Sequence, residues 1–207
     1  MATRLPRAER RAQLIEAAAA AFLARGFDGT SMDDVAQEAG VTRLIVYRIF
    51  ENKHDLYRAV LGTVIDELAR AFDGVDVEAV RVRGAAKVLL PVARAHPDAF
   101  RLLWRHAWHE LDFADEAVGF RSYVTRYAKE ILVNYIPDDP PRLEWAARSA
   151  GAHLIESICV WLDVGDATRD DEIGDLLTGG LRALAGSWII GGPPQAAPPA
   201  NRQAQGV

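Results

Sequence analysis

The chain has 207 residues, half of them hydrophobic and 26% charged, enough for a sizeable core and balanced like a globular protein. No apolar run approaches the roughly 18 residues of a membrane span, charged residues stand where a signal peptide would carry its apolar stretch, and a single cysteine, Cys159, excludes an intramolecular disulfide framework; a cytoplasmic location and no membrane partner are expected. The net charge of −5 argues against nucleic acid only on average, because residues 1–11 hold four arginines against one glutamate and precede an acidic body, the asymmetry expected when one end meets phosphate.

Helical periodicity runs along the whole chain, with no alternating β-branched stretch and no internal repeat, so an all-α fold of about nine helices is expected. The first should run from about Pro6 to Arg25, with Leu14, Ala17, Ala18, Ala21 and Phe22 as its apolar stripe and Gly26 as its stop. Ser31 caps a short second helix, Asp34 completes a capping box, and Gly40 ends it. Thr42 caps a third helix, Arg43 to Phe50, and Asn52 a fourth that continues to about Phe72. Five more should form the body. The first spans Val77 to Ala95, bent at Pro91, which cannot donate the helical hydrogen bond. Pro97 to Trp108 follows, then Phe113 to Tyr135, ended by Pro137, Pro140 and Pro141. Arg142 to Leu162 and Asp171 to Trp188 complete the set. The pattern divides into a head, 1–55, with its motif at 31–50, a body, 56–190, and a disordered tail, 191–207, of Gly, Pro, Ala and Gln.

The segment Thr30 to Tyr57 carries the function. Two short helices joined by Ala39-Gly40-Val41 form a helix-turn-helix, closed on the first helix by Val35, Ala36, Val41, Val46 and Phe50. The second of the pair is too short to be stable alone, and it interleaves Thr42, Arg43, Tyr47 and Arg48 with its buried side chains. That is the surface of a helix whose N-terminal residues reach base edges in a major groove. Tyr47 also has a core reading, and the basic arm of Arg4, Arg7, Arg10 and Arg11 reads equally as a solvated terminus. Only Lys53, Lys87 and Lys129 of the 24 basic residues are lysine, so an arginine at a given site is not in itself a sign of base reading.

On these residues the chain resembles the tetracycline-repressor-like (TetR) family of bacterial regulators. The likeness covers about Arg11 to Val60: Ala17, Ala18 and Phe22, then Gly26-Phe27, Thr30-Ser31, Val35-Ala36, Ala39-Gly40-Val41-Thr42, Val46-Tyr47, Phe50, and Asn52-Lys53 with Asp55-Leu56. The stretch His96 to Leu103 also looks like one common in that family. The resemblance implies a repressor that binds an inverted-repeat operator as a homodimer and is released by a small molecule. It implies that Thr42, Tyr47 and Lys53 hydrogen-bond phosphates, that Ser31 and the amides beside it meet a backbone phosphate, and that Arg43 faces the major groove. Arg48 is placed on the same DNA-facing side. At Leu44 and Ile45 the chain departs from the family, which there has small or short polar residues. Apolar side chains at those places could touch thymine methyls but remove a phosphate contact.

The body concentrates aromatic residues. Trp104 and Trp108 stand four apart, as do Tyr123 and Tyr127, so each pair should share a helix face. With Phe120 and with His153 as a polar group, they are the expected walls of an effector pocket for an apolar or aromatic molecule, an ordinary core being the other reading of each. Ala146, Ala147, Ser149, Ala150, Gly151 and Ala152 make one helix surface unusually small, suited to a close approach between helices in a dimer. Leu176, Leu177, Leu181, Leu184 and Trp188 stripe the last helix. The rival class is a helical metal- or ligand-binding protein, or an enzyme, without DNA function: His106 and His109 stand at i, i+3 beside Glu110 and Asp112. The Glu51-x-x-His54 pair has no second copy, and no nucleophile or phosphate-loop signature occurs. No catalysis, metal or cofactor is therefore expected.

Overall fold

The computed structural model describes residues 5–133, 135, 136 and 138–188; Arg4, Pro137 and the tail expected over 191–207 lie outside the described residues. Within them the chain is all-α, ten α-helices without a strand. In the head, α1 (Arg7–Arg25) ends where the Gly26 N–H donates to the Phe22 carbonyl at 2.8 Å. Thr30, almost fully buried, closes the following loop by donating its hydroxyl to the Gly26 carbonyl at 2.7 Å. Leu14, Ala18 and Phe22 of α1 pack against Val35 and Ala36 of α2 (Met32–Glu38), Val46 of α3 (Arg43–Ile49), and Leu56 and Tyr57 of α4 (Lys53–Phe72).

Head and body are not separated by a linker. The division expected between residues 55 and 56 falls inside the first turn of α4, and one hydrophobic core runs from the head into the body. In the body, the single helix expected from Val77 to Ala95 is two, α5 (Val77–Arg83) and α6 (Ala86–Ala95), which makes ten α-helices where about nine were expected. The break is at Gly84, not Pro91. Gly84 has φ 91°, and a Cβ there would lie 1.8 Å from the Thr178 hydroxyl, so only glycine both turns the chain and lets the last helix approach. Pro91 sits inside α6 without ending it.

The helix expected from Pro97 to Trp108 is α-helical only over α7 (Pro97–Arg101). The chain then widens into a π-helical turn, Leu102–His106, tightens into a 3-10 turn, Ala107–His109, and makes a second 3-10 turn, Leu111–Phe113. Next comes α8 (Ala114–Leu132). Pro140 and Pro141 open α9 (Pro140–Val164), at positions where no N–H is needed, and Asp139 caps it by accepting the Arg142 N–H at 3.0 Å. The last helix, α10 (Asp170–Ser187), is tied to α6 by the Arg94–Asp170 ion pair at 3.0 Å and to α9 by the Trp161 indole N–H, 2.6 Å from the same carboxylate. Among the described residues no helix is long and apolar enough to cross a membrane.

Candidate nucleic-acid interface and body cavity

The head turn is built by short-range chemistry. Asp34 N–H donates to Ser31 Oγ at 3.1 Å while the Ser31 N–H donates to Asp34 Oδ2 at 2.8 Å, the reciprocal capping box. The Ser31 hydroxyl also donates its proton to that carboxylate at 2.6 Å, so in this state Ser31 has none left for a phosphate. These bonds from Ser31, with Arg25 3.1 Å away, hold the Asp34 carboxyl below the ordinary aspartate value. Gly40, at φ 63°, turns the chain between α2 and α3. Gln13 of α1 donates to the Ala39 carbonyl at 2.9 Å and fixes the end of α2 to the first helix.

In α3, Val46 and the following Phe50 are buried and anchor the helix. Thr42, Arg43, Leu44, Tyr47 and Arg48 are exposed along its outer side, and Ile45 is half-buried. Thr42 has the extended backbone of a cap, but its side chain makes no hydrogen bond to the helix, against the side-chain cap expected of it. The cap would need the hydroxyl turned onto the first amides. Arg43 is held ready: its guanidinium pairs with Asp33 at 2.9 Å, donates to the Tyr47 hydroxyl at 3.3 Å and stacks 5.1 Å from the Tyr47 ring. Asp33 was not singled out from the sequence, since its contact with Arg43 spans ten residues and a turn.

Lys53 makes a contact within the protein beside the phosphate contact expected of it. Its ammonium donates to the Phe27 carbonyl at 2.8 Å and lies 4.2 Å from the centre of the Phe27 ring, so it straps α4 to the loop after α1. One of its three donors is thereby engaged within the protein. Lys53→Ala should therefore lower the melting stability by about 1.5 kcal/mol, the worth of a hydrogen bond from a charged group. Arg43→Ala, an exposed change, should leave melting unaltered and reduce affinity for a specific DNA site by about 1–3 kcal/mol. Thermal melts of both variants beside a DNA titration check the contrast; a Lys53→Ala protein that melts like the wild type would remove the strap.

The head is joined to the body through an aromatic cluster. Phe113, fully buried just before α8, has its ring centre 4.3 Å from Tyr57 and 4.9 Å from Phe27. Around it, His54 pairs with Asp112 at 3.0 Å and Arg58 with Glu116 at 3.3 Å. The first turns of α4 are thereby fastened to the start of α8.

Farther along, α8 forms one wall of a half-open cavity of about 390 Å³ lined also by α4, α5, α6, α9 and α10, within the size range of small-molecule sites. Phe120, Tyr123 and Tyr127 line it, with Phe72 edge-on against the two tyrosines at 6.0 and 5.0 Å, and with Leu89, Leu154 and Leu181 from α6, α9 and α10. The lining is overwhelmingly apolar. Burial pushes the Tyr123 and Tyr127 phenols above the ordinary tyrosine value, so both stay neutral. The Tyr127 hydroxyl is closed off from solvent and has no hydrogen-bond partner among the described residues. At the rim, Arg81 is held on both sides, by Glu78 and, at 3.0 Å, by the Tyr135 hydroxyl.

Trp104, Trp108 and His153 do not line this cavity. Trp104 is 7% exposed, donates its indole N–H to Glu156 at 3.1 Å and lies 4.0 Å beneath the Arg121 guanidinium. Trp108 also meets Arg121, at 5.1 Å, but is 49% exposed, its ring tilted against that of His109. The even face expected of an α-helix is not kept, because the backbone widens and then tightens between the two indoles. His153 is exposed on α9. The residues of the rival metal reading do not converge. Asp112 is paired with His54, His109 faces Trp108, and among the described residues no group of three or more metal-ligating side chains is placed to hold an ion. The small-residue stripe of α9 also differs from expectation: Ala146 and Ala147 are fully buried, and Gly151 packs against Val124 of α8 so closely that a Cβ would come within 2.7 Å. The close approach these three permit is made inside the chain, while Ala152 stays exposed and Ser149 and Ala150 half-buried.

Residues 14–60 match the family model of bacterial regulatory proteins, tetR family. Over 107 residues the chain is 34% identical to the HTH-type transcriptional activator FasR of Mycolicibacterium smegmatis, covering 50% of this chain and 49% of that one. A 71-residue stretch is 46% identical to the HTH-type transcriptional regulator TtgR of Pseudomonas putida, 33% of this chain and 34% of that one. The matched region thus spans half or less of the length of these curated relatives. The fold is similar to the crystal structure of a TetR-like transcriptional regulator from Rhodococcus sp. RHA1, with a TM-score of 0.68 and 25% identity, covering 88% of this chain and 100% of that one.

Proposed function

We propose that this chain, whose residues 14–60 match the tetR family model, is a transcriptional regulator, a homodimer that holds an inverted-repeat double-stranded DNA operator and releases it when a small molecule fills the body cavity. The observation that carries this reading is the outer side of α3, where Thr42, Arg43, Tyr47 and Arg48 stand exposed on a helix anchored from behind by Val46 and Phe50. A symmetric dimer would offer two such helices about one DNA turn apart. For its interface the reading uses the apolar side chains that α9 and α10 leave exposed: Trp145, Val160 and Val164 on one, Leu176 on the other, with Gly179, Gly180 and Ala183 beside it.

The effector is uncharged and largely apolar. The cavity lining supports this, as does the engagement of Arg81 by its own neighbours. An effector atom that satisfied Tyr127 would remove an unpaired buried hydroxyl, worth about 1–3 kcal/mol. Transmission runs along α8. One part of that helix carries Phe120, Tyr123 and Tyr127 on the cavity, and its start is tied to α4, which follows the recognition helix directly. A shift of α8 on effector binding would re-aim the heads. The effector acts only through its unequal affinity for the two states, and DNA must weaken effector binding by the same factor.

Selection from random DNA with the full chain, beside sedimentation, tests the reading. The expected result is a dimer at micromolar concentration, an inverted-repeat consensus, and affinity falling about a thousandfold between 50 and 200 mM salt as counterions are released. A monomer that retains no sequence would sink it.

A further inference from the structure

Leu44 is the most exposed large apolar side chain described in the head, at 68%. A solitary surface leucine is ordinary. This one stands in the second position of α3, with Arg43 beside it and Tyr47 and Arg48 one turn on, along the side proposed to enter the major groove. Arg43 and Tyr47 are positioned by each other and by Asp33, so the polar half of this surface is organised while Leu44 is left open to solvent. In the major groove the base edges present hydrogen-bond donors and acceptors and one apolar group, the C5-methyl of thymine. An isobutyl side chain cannot exchange hydrogen bonds there. It gains by covering a methyl and loses wherever it covers an unpaired donor or acceptor.

We propose that Leu44 reads the methyl group of one thymine in each operator half-site and is thus a specificity-determining residue of this chain. The proposal rests on the DNA-binding reading above. To test it, the operator is selected from random DNA with the full chain, and each thymine is then replaced in turn by deoxyuridine, which removes the methyl alone. At one thymine per half-site, wild-type affinity should fall roughly fourfold, the worth of one methyl-sized group withdrawn from water. Leu44→Ala should bind the thymine and uracil operators equally while keeping wild-type affinity for random-sequence DNA. Three results overturn the proposal: a wild type indifferent to every replacement, a Leu44→Ala protein that still discriminates, or a Leu44→Ala protein that loses as much on random DNA as on the operator. Selection that retains no sequence at all would instead overturn the DNA-binding reading, and this inference with it.

Discussion

Trp104→Ala should lower the stability of the folded chain by about 3–5 kcal/mol while the DNA affinity of the remaining folded protein stays unchanged. The indole is nearly fully buried, its N–H is bonded to Glu156, its ring meets Phe120 edge-on at 6.3 Å, and the Arg121 guanidinium lies over its other side. Truncation leaves a large cavity and removes the ring beneath a guanidinium whose Nε already has no hydrogen-bond partner among the described residues. Tyr123→Ala is the control. Tyr123 is half-buried on the cavity wall, so its removal enlarges an existing space, at a smaller loss of about 1–2 kcal/mol, and should change the release of DNA by effector. Melting and DNA release measured on both proteins separate core from wall. A Trp104→Ala protein that loses under 1 kcal/mol and responds abnormally to effector would return the tryptophan to the pocket.

The head was legible because its devices are local. Ser31 with Asp34, Asn52 with the Asp55 N–H at 2.9 Å, and Gly40 at its positive φ each act within three or four residues, so spacing alone exposes them. What the sequence did not disclose there is long-range. Gln13 reaches the Ala39 carbonyl and Lys53 the Phe27 carbonyl across 26 residues each, and neither has a local signature.

In the body the same limit decides more. Periodicity carried one helix through Gly84, because the reason for that glycine is Thr178, far along the chain in α10. Two tryptophans four apart suggested a common wall, a rule that assumes α-helical winding throughout, and the chain winds as a π turn and then a 3-10 turn just there. Aromatic content marked the region of the cavity, but which rings face it follows from how α8 rests on its neighbours. Phe120, Tyr123 and Tyr127 lie along it, and Val80 and Leu89, unremarkable in sequence, share it.

Phe113→Ala should cost a similar 3–5 kcal/mol, but with the loss concentrated in the head. Phe113 is fully buried where the two parts meet, with Tyr57, Phe27 and His54 around its ring and Arg58 5.5 Å above it. These neighbours belong to α4 and to the loop after α1, so removing the ring takes support from the head's side of the shared core. The His54–Asp112 and Arg58–Glu116 pairs are half-exposed and cannot replace it, since surface pairs contribute about 0–1 kcal/mol each. In the wild type, amides of α2 and α3 should exchange with solvent at a free energy close to that of α9, because one core runs through both parts. In the variant, α2 and α3 should lose more protection than α9, and the head should open first. Native-state hydrogen exchange resolved along the chain measures this directly. Equal loss in α3 and α9 would make Phe113 an ordinary core residue, and α8 would then have no preferred hold on the head through which a filled cavity could move the recognition helices.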